Sequence, residues 1–343
     1  MMNFEILKTL CTENGISGDE KAIRDIIISE ISDFVDEYKI DKLGNIIAFK
    51  KGKNRSKSKL LISAHMDEVG FIVTNITEDG YIKFTNVGGI ENKISCAKGV
   101  NIGKNNIKGV IGLKPIHLTK SDEMKKVPEV SDMYIDIGAK DREQALNYVK
   151  PGDSIYFDSI FDDSENMIKS KALDDRAGCF LLIDLIKSEI PYDMYFSFVV
   201  QEEIGLRGAT VAAYSIDPDF AIVVESTTAS DIPNVDECKT VCKLGNGAVV
   251  PFMDRATIYD KELFKLAMNI ANESNIKVQT KHAIAGGNDA GAIHVSRGGV
   301  RTICISLPCR YLHSAVSMIC KDDLESSKNL LFSLSSKIAG ELN

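Results

Sequence analysis

The sequence has no tryptophan and no long apolar run. Tryptophan is absent from all 343 residues, which removes the aromatic platform that sugar-binding sites commonly use for stacking. No stretch reaches the roughly 18 consecutive apolar residues that a membrane-spanning helix requires, and the amino terminus lacks the basic flank of a signal peptide. We therefore expect no membrane partner and a cytoplasmic location.

Basic residues are also too few and too scattered to form a nucleic-acid surface. The formal net charge is -8, and no basic stripe is available to displace counterions from phosphates, so no nucleic-acid partner is expected. One lysine-rich cluster lies at residues 51–59, between two strand-like runs. We predict that this cluster is a solvated hairpin turn.

The eight cysteines do not have the spacing of a disulfide framework. They are scattered from Cys11 to Cys320, so we expect reduced thiols. Cys238 and Cys242 form a C-x3-C spacing, but no second pair of this kind follows it. A zinc role for these two thiols is therefore not favoured.

The order of patterns along the chain predicts an α/β protein with an insertion. Ser17 and Glu20 have capping-box spacing, and the apolar periodicity after them predicts a helix over about 18–36. Residues 69–163 contain short β-rich runs separated by turn signals, which fit a small β-barrel. Strands alternating with long helices follow. We therefore predict an α/β domain (1–68 plus 164–343) and an inserted β-barrel domain (69–163).

His65 and Asp67 follow a buried strand and are the first candidate site residues. Because side chains alternate along a strand, both can point into the same cleft. A metal-bound histidine usually donates its other ring N–H to an oxygen acceptor, and Asp67 is suited to that role. The ordinary alternative is a core histidine beside a turn aspartate.

Two acidic pairs are the next candidates. Asp174 and Asp175 open a helix, where a carboxylate is favoured, although helix capping alone accounts for at least one of them. Glu202 and Glu203 end a strand, so one side chain can bind a metal while the other faces a water. A solvated loop is the ordinary alternative for this second pair.

Glu225 and His313 complete the candidate set. Glu225 ends an apolar strand, where an unpaired carboxylate carries a large desolvation penalty and therefore needs a partner. His313 lies on a loop after the last predicted strand of the sheet. The four positive charges of two divalent ions would balance three carboxylates and one hydroxide, and imidazole with carboxylate suits zinc or cobalt better than manganese.

Several segments together resemble a known family of enzymes. The chain is similar to the glutamyl aminopeptidase family of tetrahedral (TET) aminopeptidases, some members of which carry the label cellulase M. The resemblance covers almost the whole chain in order, and it rests on the segments SAHMDEVGF, KALDDRAG, VVQEEIGLRGA, ESTTASD, AGGNDAGAIH and PCRYLHS. It implies a mixed central sheet flanked by helices, as in zinc exopeptidases, with the inserted β-barrel serving for dimerisation.

The resemblance also implies roles for individual residues. One divalent metal ion would be held by His65, Asp174 and Glu225, and a second by Asp174, Glu203 and His313, with Asp174 bridging. It further implies that Glu202 is the general base, that Asp67 orients His65, and that the peptide bond between Asp174 and Asp175 is cis. Many relatives carry aspartate where this chain has Glu225.

The implied activity is metal-dependent removal of N-terminal residues from short peptides. Water activated between two divalent ions would attack the first peptide bond, with Glu202 transferring the proton. The resemblance implies self-association into dimers and then into twelve-subunit tetrahedra. Asp289, in the Gly-Gly-Asn-Asp segment, is a candidate substrate contact, although a plain helix cap is the alternative.

Two other functions remain open on sequence grounds. A dinuclear deacylase or amidase acting on a small metabolite would use the same ions. A peptide-binding scaffold without catalysis would retain only the fold. Cellulase activity fits poorly, because glycosidic cleavage normally uses two carboxylates without a metal, and tryptophan is absent.

Overall fold

The computed structural model describes residues 3–342, apart from the side chains of residues 123 and 124. The strands are β1 (Glu37–Ile40), β2 (Ile46–Lys50), β3 (Leu60–His65), β4 (Gly70–Ile76), β5 (Ile82–Val87), β6 (Gly99–Ile102), β7 (Ile107–Gly112), β8 (Tyr134–Asp136), β9 (Ser154–Phe157), β10 (Asp162–Ser164), β11 (Met167–Ser170), β12 (Met194–Val199), β13 (Phe220–Thr228), β14 (Ala248–Val249), β15 (Val278–Gln279), β16 (Arg301–Cys309) and β17 (Ser317–Cys320). The α-helices are α1 (Glu5–Thr12), α2 (Lys21–Ile31), α3 (Asn92–Ser95), α4 (Ser121–Met124), α5 (Arg142–Leu146), α6 (Leu173–Lys187), α7 (Arg207–Ile216), α8 (Lys261–Glu273), α9 (Ala290–Ile293) and α10 (Lys321–Glu341).

A mixed sheet forms the centre of the larger domain. Within residues 3–342 it has eight strands, in the order β1-β2-β12-β3-β13-β16-β14-β15. The central neighbours β12, β3, β13 and β16 are parallel, whereas β2 and β14 pair in antiparallel fashion with β12 and β16. Every residue of β3 is buried, as expected for a central strand with a continuous apolar run. This arrangement confirms the predicted fold class.

Helices cover this sheet. Its parallel strands end at one common edge, where the candidate site residues lie. Helix α6 packs on β3 and β13, and α10 packs on β16. His65 at the end of β3 pairs in register with Val199 at the end of β12, just before the second acidic pair. Because parallel strands present their carboxyl ends at one edge, the candidate residues meet there.

The insertion folds as a closed antiparallel barrel. Its strands follow the order β4-β5-β8-β7-β6-β9 and run from Gly70 to Phe157, inside the predicted insertion of 69–163. The barrel has a hydrophobic core of its own, in which Phe71 makes edge-on contacts with Phe84 and Phe157. The limits of the two domains stay a prediction.

The helix predicted over 18–36 is shorter than expected. Helix α2 covers only Lys21–Ile31, and the residue before it makes no side-chain cap. Ser17 instead donates a hydrogen bond to Asp67, and Glu20 accepts hydrogen bonds from the backbone N–H groups of Gly18 and Gln201. The capping-box interpretation was wrong because tertiary contacts recruit both side chains.

The lysine-rich segment is not a hairpin turn. Strands β2 and β3 on either side of it belong to the same sheet, but β12 lies between them. The segment therefore crosses over a strand that comes more than a hundred residues later in the chain. Local turn signals cannot reveal an intervening strand of this kind.

The described residues include every cysteine and all the helices given above. All eight cysteines are unpaired, and the residue groups able to hold a metal ion do not include Cys238 or Cys242 among residues 3–342. In the same part of the chain, none of the helices has the length and apolarity needed to cross a bilayer.

Candidate metal centre

His65 is fixed by its neighbours so that one ring nitrogen faces the other candidate ligands. The side chain is 1% exposed, and its Nδ1 lies 3.0 Å from the Asp67 carbonyl oxygen and 3.5 Å from Asp67 Oδ1. The opposite nitrogen, Nε2, lies 3.3 Å from Glu225 Oε1 and 3.4 Å from Asp174 Oδ1. Nδ1 as donor to Asp67 leaves Nε2 free to bind a metal.

Asp67 joins His65 to the second acidic pair. Its carboxylate accepts hydrogen bonds from the backbone N–H groups of Glu202 (3.0 Å) and Glu203 (3.1 Å) and from the Ser17 hydroxyl (2.5 Å). Burial opposes ionisation of this group, but His65 and these donors outweigh burial and lower the pKa of Asp67. One buried carboxylate therefore positions two different parts of the site.

The first acidic pair divides its two side chains between different tasks. Asp174 and Asp175 both have non-helical backbone angles within α6, and the peptide bond between them is cis, as expected. Asp175 turns inward and accepts hydrogen bonds from the backbone N–H groups of His65 (3.3 Å) and Gly178 (3.1 Å). Asp174 turns outward, with Oδ1 near His65 and Oδ2 3.4 Å from His313 Nε2.

His313 reaches the site because the inserted barrel holds it there. Its Nδ1 lies 2.8 Å from the carbonyl oxygen of Gly89, a residue of the insertion. The Nε2 atom lies 3.2 Å from Glu203 Oε2. Although burial opposes protonation, the adjacent carboxylates of Asp174 and Glu203 raise the pKa of His313 to about 9.

Two carboxylate oxygens in this cluster have no hydrogen-bond partner within the described part of the chain. They are Asp174 Oδ1 and Glu225 Oε2, both shielded from solvent. A buried carboxylate oxygen without a partner carries a desolvation cost that a cation would offset. Candidate ligand atoms lie within 4.8 Å of one another in the sets His65/Asp174/Glu225, Asp174/Glu203/His313 and His65/Glu202/Glu203. The residues therefore fit divalent cations well.

Glu202 lies beside this cluster, and the pKa of its side chain is raised into the range that suits proton transfer. Together with Asp174, Glu203, Glu225 and His313 it lines a cavity of about 270 Å³. Burial, which outweighs the opposing charge of His65, acts with the negative charge of Asp289 to raise the pKa of Glu202 to about 8. A carboxylate in this range can accept and return a proton near neutral pH.

The geometry agrees with what the comparison with known families finds. Residues 44–330 match the family model of the M42 glutamyl aminopeptidases. The chain belongs to the M42 glutamyl aminopeptidase family. The resemblance stated from the motifs is thereby confirmed, and this M42 member is a hydrolase for which the family implies divalent metal ions.

Similar proteins cover this M42 chain almost completely. A relative from Acetivibrio thermocellus is 40% identical over 332 residues, which are 96% of this chain and 97% of the relative. The lysyl aminopeptidase of Pyrococcus furiosus is 34% identical over 340 residues, 96% of each chain.

Solved structures share the fold of the M42 chain. A TET aminopeptidase from a marine sediment archaeon of the Thaumarchaeota superposes with a TM-score of 0.93 at 35% identity, covering 99% of this chain and 96% of that one. The Pyrococcus horikoshii TET1 peptidase, described as assembling into a tetrahedron or a large octahedral shell, gives 0.84 at 35% identity over 99% of both chains.

Asp289 occupies a different environment from the other candidates. It is fully buried, and among residues 3–342 neither of its carboxylate oxygens has a hydrogen-bond partner. Burial raises its pKa to about 7. Its neighbours Gly287 and Asn288 line the cavity, whereas Asp289 is not among the described residues that do so. A substrate contact by Asp289 stays a prediction.

Sequence reasoning missed two residues that support the ligands. Ser17 was interpreted as a helix cap and instead bonds Asp67. Gly89 belongs to one of the turn signals between the β-rich runs of the insertion, and its carbonyl oxygen orients His313, which lies 224 residues away. The Gly-Gly pair was visible in the sequence, but nothing local connects it to His313.

Proposed function

We propose that this chain is an aminopeptidase that removes N-terminal residues from short peptides by means of a water activated between two divalent metal ions. One observation carries the proposal above the others. The two carboxylate oxygens of Asp174 lie 3.4 Å from two different imidazoles, those of His65 and His313, as a bridging ligand requires. The deacylase and scaffold alternatives are not favoured by membership of an aminopeptidase family.

Each ion would have its own set of protein ligands. We assign His65, Asp174 and Glu225 to one ion and Asp174, Glu203 and His313 to the other. Imidazole and carboxylate donors without thiolate favour zinc or cobalt, with manganese less suited. The third close grouping contains Glu202, which we assign to proton transfer because it lines the cavity and belongs to neither of the two ligand sets assigned above.

The remaining chemistry belongs to residues of the chain. When bound, two divalent ions supply Lewis acidity that favours ionisation of a water and polarises the carbonyl of the first peptide bond. Glu202 accepts the proton of the attacking water and returns it to the leaving amine nitrogen as the carbon–nitrogen bond breaks. Asp67 holds His65 Nε2 and the Glu202–Glu203 turn in their working positions.

The cavity suits small substrates. Its volume of about 270 Å³ is slightly below the roughly 300–1,000 Å³ that is typical of ligand sites, and it cannot admit a folded domain. We propose peptide substrates with a free amino terminus, and a cytoplasmic location stays a prediction.

Self-association is part of the proposal. The TET1 peptidase of Pyrococcus horikoshii, with the same fold, is described as a tetrahedral or octahedral assembly. We propose that this chain forms dimers through the barrel and assembles further into a dodecamer. Exposed apolar side chains on the insertion, among them Val110, Ile116 and Leu118, support that role.

The Glu202→Gln variant tests the proposed mechanism. Glutamine keeps the shape of the side chain but cannot accept the proton, so we expect metal content to be retained while turnover falls by orders of magnitude, about 10²–10⁴-fold. Metal content would be measured by mass spectrometry and turnover with aminoacyl anilides. Wild-type turnover in the variant would refute the role of Glu202.

A substrate panel tests the reaction class. Aminoacyl anilides should be cleaved, whereas N-acetyl amino acids should not. The reverse preference would establish the deacylase instead. The screen should be repeated with zinc, cobalt and manganese, because the same experiment then identifies the most active metal.

A further inference from the structure

The turn that carries Glu202 begins at a residue with an unfavourable backbone conformation. Gln201 has a φ angle of 57°, in the left-handed region that residues with a side chain rarely occupy. One residue separates it from Val199, the last residue of β12, and the acidic pair comes next. Its conformation therefore sets the direction in which the chain leaves the sheet. Such a conformation persists only where neighbouring groups fix it.

Three consecutive backbone N–H groups of this turn are bound by two buried carboxylates. Oε1 of Glu20 accepts a hydrogen bond from the Gln201 N–H at 3.2 Å. The Asp67 carboxylate accepts hydrogen bonds from the N–H groups of Glu202 at 3.0 Å and Glu203 at 3.1 Å. Glu20 is 5% exposed and Asp67 is fully buried. Glu20 therefore fixes the residue at which the chain turns, whereas Asp67 fixes the two residues after it.

Glu20 is itself held in place by its surroundings. Its Oε1 also accepts a hydrogen bond from the Gly18 N–H at 2.7 Å, and its carbonyl oxygen accepts one from the Arg24 N–H in α2 at 2.9 Å. The carboxylate of the preceding residue, Asp19, accepts a hydrogen bond at 2.6 Å from the hydroxyl of Tyr156 in β9 of the barrel. Glu20 therefore offers its oxygen to Gln201 from a position fixed by both α2 and the barrel.

Glu202 depends on this turn more than Glu203 does. Glu203 belongs to one of the assigned ligand sets, and its Oε2 lies 3.2 Å from His313 Nε2, so a bound ion would hold its side chain in place. Glu202 belongs to neither assigned set, and its position at the cavity follows from the backbone that carries it. A displacement of about 1 Å can reduce the rate of a reaction about a hundredfold.

We propose that Glu20 is a positioning residue for the reaction. Its carboxylate oxygen holds Gln201 in the left-handed conformation and thereby keeps Glu202 where it transfers the proton. This inference rests on the proposed aminopeptidase function. Glu20 acts through the backbone of the turn and makes no contact with the reacting atoms.

The test removes the acceptor oxygen and keeps the size of the side chain. In metal-loaded Glu20→Met, kcat for leucyl anilide should fall by about ten- to hundredfold, because Glu202 is no longer held in place. KM and metal content should stay near the wild-type values, since the ligands and the cavity wall remain. Glu20→Gln retains an oxygen that accepts the Gln201 N–H and should restore kcat. Glu20→Ala serves the same comparison if Glu20→Met does not fold.

Asp323→Leu is the matched control for a general loss of stability. Asp323 is also a fully buried carboxylate, and it accepts hydrogen bonds from the backbone N–H groups of Gly245 at 2.7 Å and Gly247 at 2.6 Å. None of these three residues is among the described residues that line the cavity. Asp323→Leu should lower the melting temperature and leave kcat per metal-loaded chain unchanged. An equal fall in kcat in Asp323→Leu, or a fall in Glu20→Met that only matches its loss of metal, would overturn the proposal.

Hydrogen exchange reports on the turn without any contribution from turnover. In chelator-treated protein, the Gln201 amide should exchange faster in Glu20→Met than in wild type, whereas Glu20→Gln should match wild type. Unchanged exchange at Gln201 in Glu20→Met would overturn the proposal. If the wild type cleaves leucyl anilide and Glu20→Met has the same kcat, this inference fails alone. Failure of the wild type to cleave any aminoacyl substrate would instead refute the proposed function, and the role of Glu20 with it.

Discussion

Adjacent acidic residues point in different directions at two places in the site. Asp174 faces the imidazoles while Asp175 bonds backbone N–H groups, and Glu203 faces His313 while Glu202 lies beside it in the cavity. The sequence predicted this division for Glu202 and Glu203 alone, since neighbouring side chains diverge at a strand end. It could not predict the partners of Asp175, because those belong to backbone that only the folded chain brings near.

The shared position of Asp174 leads to a prediction about metal content. Asp174→Ala should lose both ions, because its two oxygens lie near both imidazoles, whereas His313→Ala should keep about one ion per chain. Mass spectrometry of the purified, metal-loaded variants measures the stoichiometry. Retention of two ions by Asp174→Ala would rule out the bridging role.

Glu20 leads to a prediction about pH and stability. Burial, opposed by hydrogen bonds from Gly18 and Gln201, raises the pKa of Glu20 from 4.5 to about 7. Between these values the native state binds more protons than the unfolded chain, so the contribution of Glu20 to stability decreases as pH rises from about 4.5 to 7. Glu20→Gln should therefore gain thermal stability relative to wild type at pH 7.5 but little at pH 5.

Calorimetry of chelator-treated protein at the two pH values checks this expectation and avoids linkage to metal binding. Glu143→Gln, at an exposed position on α5, provides the control and should leave the pH dependence unchanged. A Glu20→Gln variant whose stability relative to wild type is the same at both pH values would contradict the prediction.

At the scale of elements, the beginning of α6 shows how tightly the site is packed. The sequence predicts a helix that Asp174 and Asp175 open, but both residues have non-helical angles at its start. This irregular turn is compatible with packing because Gly178 has no side chain. A β-carbon at Gly178 would lie 2.4 Å from both carboxylate oxygens of Asp175.

We accordingly expect Gly178→Ala to be destabilising. The added methyl group must displace Asp175 or the helix, at a cost of about 1–3 kcal/mol, and metal affinity should fall with it. Gly298→Ala is the matched control, since among the described residues no heavy atom lies within 4 Å of its added β-carbon. Equal melting temperatures for the two variants would contradict the claim that the start of α6 needs a residue without a side chain at position 178.

Strands and helices with strong apolar patterns were predictable from the sequence, whereas their neighbours in the sheet were not. The buried strand predicted before His65 and the helix predicted to begin at Asp174 and Asp175 appear in the structure as β3 and α6. The pairing of β2 with β12 rather than with β3 depends on contacts far apart in the chain. Strands that are distant in the chain compete for the same position in the sheet, and the local sequence carries no signal of the outcome.

At the scale of the whole molecule, the inserted barrel and the larger domain share the metal centre. Gly89 of the insertion accepts a hydrogen bond from His313 if Nδ1 carries the proton, which leaves Nε2 directed at Asp174 and Glu203. The sequence indicated the insertion through the short β-rich runs and turn signals that begin near residue 69. It gave no indication that the insertion would support a ligand.

The proposed assembly of twelve subunits can be measured directly. Light scattering should give a mass about twelve times that of the 37.7 kDa chain. Replacing Ile116 and Leu118, both largely exposed on the insertion, with aspartate should shift the protein toward smaller species. A mass of one chain for the wild type at working concentration would contradict the proposed assembly, but it would leave the catalytic proposal intact.

The contact between His313 and Gly89 couples two equilibria that are usually treated separately. If subunit association shifts the loop that carries Gly89, it changes the affinity of the neighbouring cation site. Thermodynamic reciprocity then requires that loading this site changes the association constant by the same factor. If association strengthens cation binding, then removal of the ions weakens association and dissociation on dilution weakens cation binding, each by that factor.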